Sequence, residues 1–486
     1  MSTQTNPTSP VTPAGSPTRS NSKDMSSPGP TTALSLRWHR LVNFVAPPSS
    51  STKRAKLPQP STQDSLKAIA KASWLNLLLA FIPVSWALHF AKPDESTIIF
   101  IFSFLAIIPL ASLMGFATED LSLRVGQTLA GLLNATLGNA VELIVAIIAL
   151  LKCELRVVQA SLVGSVLSNL LLVLGMCFFA GGMRYSEQGF SLAAAQINSS
   201  LLIISVVSVL IPGVLYFSID ALTSASPESE GKTILKISHG VAIMLLLVYC
   251  CYIVFQLRTH NQLFDDEHPS SMIESIRYQK DIKNESPRSS MHSDASPDSP
   301  LVASHVDAEA AKEHDEDDES PKMSTWVAIG LLTVITVLVA VTAEFLVGSI
   351  NGLIDGTGIS KEFVGLILLP IVGNAAEHVT AVTVSVKDKL TLSISVAVGS
   401  SIQIALFVLP FIVTLGWILG KPMTLLLDPF ESAVLLLSVM TVNYTIQDGK
   451  SNWLEGVVLM TLFIIIGIVT WFYTGTDPSG MLATCT

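Results

Sequence analysis

Residues 138–143 read GNAVEL and residues 373–378 read GNAAEH. Each sets an asparagine and a glutamate inside an otherwise apolar run, and the second copy lies 235 positions after the first (373 − 138). The same offset continues downstream. LVGSVLSN begins at Leu162 and AVGSSIQI at Ala397, which aligns Gly164 with Gly399, Ser165 with Ser400 and Ser168 with Gln403. An unbroken offset across two helices and their connection marks an internal repeat. Upstream, ATEDL from Ala117 resembles VTAEFL from Val341 and pairs Glu119 with Glu344 at an offset of 225 (344 − 119), because the second copy carries the longer connection SINGLIDGTGIS.

The chain around these motifs has 486 residues, 50% of them hydrophobic and 14% charged, with a mean hydropathy of +0.56. Soluble domains carry about 25% charged residues, so this composition is that of an integral membrane protein. Crossing the hydrocarbon layer takes about 20 apolar residues. Eleven stretches qualify: 73–91, 97–118, 128–151, 157–180, 195–216, 234–256, 325–349, 363–386, 391–415, 422–443 and 452–473. The expected fold is all-α, with one extra N-terminal helix and two five-helix repeats. Five is odd, so the second repeat enters the membrane from the opposite side, which is the inverted-repeat plan of secondary transporters.

Two polar blocks complete the organisation. Residues 1–70 are expected to be a disordered, Pro/Ser/Thr-rich cytoplasmic tail; with Lys71, this region holds nine Lys/Arg against two Asp. Its prolines (Pro7, Pro10, Pro13, Pro17, Pro28, Pro30) argue against an amphipathic transit helix. The extra span follows at 71–92 and the first repeat at 95–257. A Ser-rich acidic cytoplasmic loop at 258–323 holds sixteen Asp/Glu against seven Lys/Arg, including HDEDDES at His314–Ser320. The second repeat occupies 324–474 and a lumenal tail 475–486. Lys53, Arg54, Lys56, Lys67 and Lys71 beside the first span set the N-terminus in the cytoplasm. Eleven spans then put the C-terminus on the far side, and Lys152 and Arg156 there depart from the positive-inside rule. No apolar segment lies near residue 1, so the first span is expected to act as a signal anchor. The five cysteines (Cys153, Cys177, Cys250, Cys251, Cys485) show no metal spacing and read as small packing residues, with no disulfide framework implied.

Residues three apart share a helix face, so Asn139 points with Glu142, and Asn374 with Glu377. An inverted repeat brings the two faces together at its pseudo-two-fold axis. Two carboxylates meeting in low dielectric need protons or a divalent cation between them, and they titrate as a pair. A site that takes either is the minimum for cation/proton exchange. The neighbouring groups (Asn139, Asn374, Ser165, Ser400, Ser401, Gln403) are all oxygen donors, which suits hard cations: Ca²⁺ with its 6–8 oxygen ligands, and Mn²⁺ as well. Intramembrane acids are costly and mark function. Asn139 and Asn374 read either as ligands or as interhelical hydrogen-bond glue. Ser165, Ser400 and Gln403 read either as ligands or as ordinary helix contacts. Glu119 and Glu344 read as a proton or access path, or as interfacial structure. His378 reads as a ligand, a proton relay or a neutral hydrogen-bonded side chain. The acidic run of the loop reads as a cation concentrator, a regulator or a solvated linker.

The two glutamate motifs with their paired VGS segments resemble the signature repeats of the cation/proton exchanger (CAX) family of the Ca²⁺/cation antiporter superfamily, over about residues 68–473. The long polar tail and acidic loop are similar to those of fungal vacuolar Ca²⁺/H⁺ exchangers. That resemblance implies eleven helices with a ten-helix core in two inverted halves. It implies that cytosolic Ca²⁺, and Mn²⁺ too, is moved into the vacuole against protons. It gives Glu142 and Glu377 the ion, and Glu119 and Glu344 cation access or proton exchange. The loop's length and Ser/Pro content depart from the family pattern.

The rival readings are a Na⁺/Ca²⁺ exchanger of the same superfamily and a passive cation channel. No GxxxxGK[ST] phosphate loop, HExxH motif or phosphorylatable Asp signature is present, so no enzyme and no cofactor are expected. The expected partners are the lipid membrane and the transported cations, with no nucleic acid. Oligomeric state does not follow from the sequence.

Overall fold

The computed structural model describes residues 60–125, 127–220, 227–260, 263, 275–277, 321–477, 480 and 482–485. Most of the tail expected to be disordered, and nearly all of the acidic loop with its HDEDDES run, lie outside the described residues.

Helices dominate what is described. In chain order they are α1 (Thr62–Lys71), α2 (Trp74–Ala91), α3 (Ser96–Val125), α4 (Gln127–Leu137), α5 (Ala140–Leu151), α6 (Leu155–Gly182), α7 (Leu192–Asp220) and α8 (Pro227–Val254). After the loop come α9 (Thr325–Gly348), α10 (Ile350–Thr357), α11 (Lys361–Gly373), α12 (Ala375–Val386), α13 (Leu390–Ile418), α14 (Pro429–Thr445) and α15 (Trp453–Phe472). Three short strands, β1 (Tyr185–Gly189), β2 (Ile276–Arg277) and β3 (Lys450–Ser451), pair antiparallel in the order β2-β1-β3.

Among the described residues, eight helices are long and apolar enough to cross a membrane, or nine when α11 and α12 count as one span bent by 57°. The eleven expected stretches are all largely helical, but three differ from continuous spans, the first being 363–386, which is the bent pair α11 and α12. Residues 128–151 are split at Gly138–Asn139 into α4 and α5, because the chain turns there instead of continuing its hydrogen-bond ladder. The expected span 422–443 becomes helical only at Pro429, where Asp428 caps the first turn by accepting from Phe430 and Glu431 N–H.

Three further expectations are corrected. The last part of the tail is ordered: Thr62–Lys71 forms α1, capped by Ser61, and its buried Ser65 accepts from the Ser324 N–H at the head of α9. The longer connection of the second copy folds as α10 and stops at Gly358, whose φ of +73° lies in the left-handed region. Cys153 and Cys485 are not packing residues; they form a disulfide 332 positions apart in sequence. Spacing could not reveal a partner brought close only by the tertiary fold.

α6 and α13 run through the middle of the bundle and are buried almost all round, as helices apolar on every face must be. α9 packs along α3, α15 along the second half of α6, and the first half of α6 against α11. The peripheral helices turn Trp326, Ile468, Trp471 and Phe472 outward. Lengths match across the chain: α5 and α12 have 12 residues each and start 235 apart, and α6 and α13 also start 235 apart (390 − 155). Both inner helices loosen to π geometry at equivalent places, Ser168–Val173 and Ile404–Val408. Single π turns inside α-helices concentrate at functional sites.

Candidate functional site

The two breaks, Gly138–Asn139 and Gly373–Asn374, start α5 and α12, and each helix carries its glutamate in the first turn. Asparagine commonly caps the helix it starts. Here neither Asn139 nor Asn374 does so, and both side chains are turned into the protein, 2% and 0% exposed.

Asn139 bridges the two halves. It donates to Gln403 Oε1 at 2.6 Å and accepts from Ser400 Oγ at 2.9 Å, both on α13. Asn169, in the π turn of α6, donates to Ser400 Oγ at 3.0 Å. Ser168 and the His378 ring nitrogen Nε2 meet across the halves at 3.4 Å. Ser401 turns back to the Val166 and Ala397 carbonyls and takes a structural part.

Glu142 and Glu377 converge on this network. Glu377 lies beside Ser400 and Asn169 and within Coulomb range of Glu142. Glu142 leans on the opposite break: a Cβ added at Gly373 would sit 2.6 Å from Glu142 Oε1, so the glycine is what lets the carboxylate approach. A cavity reaches Glu142 and is lined by Ser161, Ser165, Leu346, Val372 and Gly373 among others.

Several buried polar atoms here have no hydrogen-bond partner: Glu142 Oε2, Glu377 Oε2, Asn169 Oδ1 and both side-chain atoms of Asn374. Buried polar groups are normally satisfied, and each exception needs an account. Four of these five orphans are oxygens around one carboxylate pair, the donor set a hard cation takes.

The structure therefore brings together Glu142, Glu377, Asn139, Asn374, Ser165, Ser400 and Gln403. It does not bring Glu119 or Glu344 to them. Both are exposed and sit near opposite ends of the bundle, Glu119 toward the end of α3 and Glu344 toward the end of α9. Glu344 pairs with Lys152 at 2.7 Å, and Arg156 pairs with Glu362, so the two basic residues that depart from the positive-inside rule are both neutralised by acids. Two polar residues were missed. Asn169 aligns at the 235 offset with apolar Ile404, and reading by repeat passed over it. Asp120, next to Glu119, is the buried acid of that pair; it accepts from Met323 N–H at 3.0 Å and faces Arg124 at 3.7 Å.

With this geometry in view, three comparisons bear on the chain. A vacuolar calcium ion transporter of Cryptococcus neoformans var. grubii is 51% identical over 469 residues, 87% of this chain and 77% of that one. A Ca²⁺/H⁺ antiporter of Aphanothece halophytica is 41% identical over 403 residues, 82% of this chain and 95% of its own. The solved structure of native YfkE superimposes with a TM-score of 0.62 at 31% identity, covering 82% of this chain and 100% of that one. Residues 95–258 and 327–472 match the family described as sodium/calcium exchanger protein, taking in both glutamate motifs, and the chain belongs to that family.

Proposed function

We propose that this protein is a secondary active transporter that exchanges cytosolic Ca²⁺, and Mn²⁺ of similar coordination, for protons of the vacuole. The observation that carries the reading is the pair Glu142 and Glu377, drawn from the two halves to one place, with Glu142 on the cavity and buried oxygens without partners around the pair. The names of the relatives, vacuolar calcium ion transporter and Ca²⁺/H⁺ antiporter, agree with it. No catalytic chemistry is required, and we infer that the chain is not an enzyme.

The pair can be relieved by one divalent cation or by at least two protons, and not by both together. Asn374 and Asn169 supply neutral oxygens beside the charge. Asn139, held by Gln403 and Ser400, ties α5 to α13 and keeps the two breaks in register. Alternating access then lets the lumen deliver protons, which displace the cation, and the cytosol deliver cation, which displaces the protons.

This mechanism rests on eleven spans in which 95–257 and 324–474 are inverted five-helix repeats, with the broken α4–α5 and α11–α12 pairs as equivalent spans. The matching lengths and the shared offset of 235 support that plan. The N-terminus and the 258–323 loop are placed in the cytosol and the C-terminus in the lumen. The Cys153–Cys485 disulfide supports this sidedness, since it puts the end of α5 and the C-terminus on one side, the side where disulfides persist. Glu119 and Glu344 then stand near opposite mouths of the pathway.

The test uses the purified full chain in proteoliposomes with an inside-acid pH gradient, no ATP and no Na⁺. Ca²⁺ uptake that collapses with a protonophore, and is lost in Glu142→Gln and Glu377→Gln, is the expected result. Uptake that ignores the pH gradient or needs a Na⁺ gradient overturns the proton half. Uptake intact in either variant overturns the central pair.

A further inference from the structure

A second group of buried acids lies away from the central pair, at the end of the bundle that carries the disulfide. Arg156 opens α6, Glu362 opens α11 and Asp428 caps α14. The chain leaving α15 crosses over all three. Asp428 accepts from Tyr473 Oη at 2.9 Å, from Thr476 N–H at 2.7 Å and from Thr476 Oγ1 at 2.9 Å, besides its cap bond from Phe430 N–H at 2.8 Å. Arg156 pairs with Glu362 and donates to the Thr474 carbonyl at 3.0 Å. Gly475, at φ +65°, presses so closely on that pair that a Cβ there would collide with both side chains. Farther on, Cys485 is bonded to Cys153. Residues 473–476 thus form a strap over the acids.

Glu431 lies beneath it, 3% exposed, three residues after Asp428 and so on the same helix face. Its charged neighbours are Asp428 at the head of its own helix, Glu362 from α11 and Arg156 from α6. Among the described residues no donor reaches its carboxyl. Charge is short here as well. Among the described residues, Glu154, Glu362, Asp428 and Glu431 share Arg156 and Lys361, and Lys361 is taken up at 2.8 Å by Glu154. Glu362 Oε2 is buried without a partner. A buried carboxylate whose one cationic neighbour, Arg156, is already engaged by Glu362 and the Thr474 carbonyl takes up a proton or binds a cation. The cation is the poorer fit, because Asp428 has spent its oxygens on five donor groups.

We propose that Glu431 is a proton-binding site at the lumenal end of the bundle, exchanging its proton with the lumen beneath the strap 473–476. The lumenal placement rests on the sidedness given under Proposed function. The site heads two elements that lead to the central pair. α6 runs nine residues from Arg156 to Ser165 (165 − 156) and α11 eleven from Glu362 to Gly373 (373 − 362), about 14–16 Å at helical rise. Protons loaded at Glu431 are therefore held within two to three turns of the cavity that contains Glu142.

The experiment has two readouts on the full-length protein. In infrared absorption at neutral pH, the difference between the native protein and Glu431→Gln contains a protonated-carboxyl carbonyl band, and Glu431→Asp moves that band without removing it. In proteoliposomes, Glu431→Gln flattens the fall of Ca²⁺ uptake with rising internal pH, and Glu431→Asp keeps it. If neither variant alters the infrared band, the proposal is overturned, whatever transport shows. If the band behaves as expected but native uptake ignores the pH gradient, the site stands and proton-coupled exchange fails. If the band is lost in Glu431→Gln while the internal-pH profile is unchanged, Glu431 holds a proton that transport does not use, and the lumenal exchange role is overturned.

Discussion

Asn139 and Asn374 occupy matching places in their motifs, yet among the described residues the side chain of Asn139 is hydrogen-bonded and that of Asn374 is not. This asymmetry separates structural from ligand roles in an experiment. Asn139→Ala leaves Gln403 Oε1 without its donor and Ser400 Oγ–H without its acceptor and should cost about 1–3 kcal/mol of stability, seen as a lower melting temperature in detergent. Asn374→Ala removes no side-chain hydrogen bond, so its melting temperature should fall less than that of Asn139→Ala while the KM for Ca²⁺ rises. Equal stability losses in the two variants would assign Asn374 to packing. Asn169→Ala should raise the Ca²⁺ KM about tenfold, equivalent to about 1.4 kcal/mol, measured as initial uptake of radiolabelled Ca²⁺. The glutamates and asparagines were legible in the sequence because polar groups in apolar runs stand out. Asn169 was not, because the reading followed the repeat and this residue lies on one copy only.

Among the elements, the two glycines facing each other's half do different work. At Gly373 a methyl would sit 2.6 Å from Glu142 Oε1. Gly373→Ala should therefore push the carboxylate aside and abolish most uptake, with the helix bundle still folded by circular dichroism. At Gly164 a methyl would run into the Leu366 main-chain carbonyl where α6 crosses α11. Backbone cannot swing away as a carboxylate can, so Gly164→Ala should destabilise by about 1–3 kcal/mol through overpacking, measured by thermal unfolding. Full uptake in Gly373→Ala would show that Glu142 does not need its place against the break. Hydropathy located the helical stretches, and the Gly-Asn-Ala motifs marked the two breaks. The late start of α14 was not legible, because it depends on the Asp428 cap, which a hydropathy window averages away.

For the molecule as a whole, the Cys153–Cys485 bond joins the end of α5 to the C-terminus and so links the two halves covalently. Cleavage within the 258–323 loop should leave two fragments that migrate as one species without reductant and separate with it. Two fragments without reductant would refute the bond. Closing so long a loop restricts the unfolded chain, and Cys485→Ser should cost about 2–5 kcal/mol, read as a fall in melting temperature that reductant reproduces in the native protein. After reduction, a membrane-impermeant thiol reagent should reach these two cysteines from the lumenal side only. Labelling from the cytosolic side would reverse the proposed sidedness.

Composition alone made this a membrane protein, and the repeated Gly-Asn-Ala-x-Glu motif alone nominated two glutamates, because an acid in a long apolar run is too costly to be there by accident. Both inferences depend on patterns local in sequence. What they could not contain is everything set by residues far apart in the chain. The network from Asn139 to Gln403 and Ser400, the pressure of Gly373 on Glu142, the disulfide across 332 positions and the strap over Glu431 all join segments that meet only after folding. Hydropathy and spacing report which side chains avoid water, whereas partnership inside the bundle is decided by helix crossings, which bring these pairs into contact.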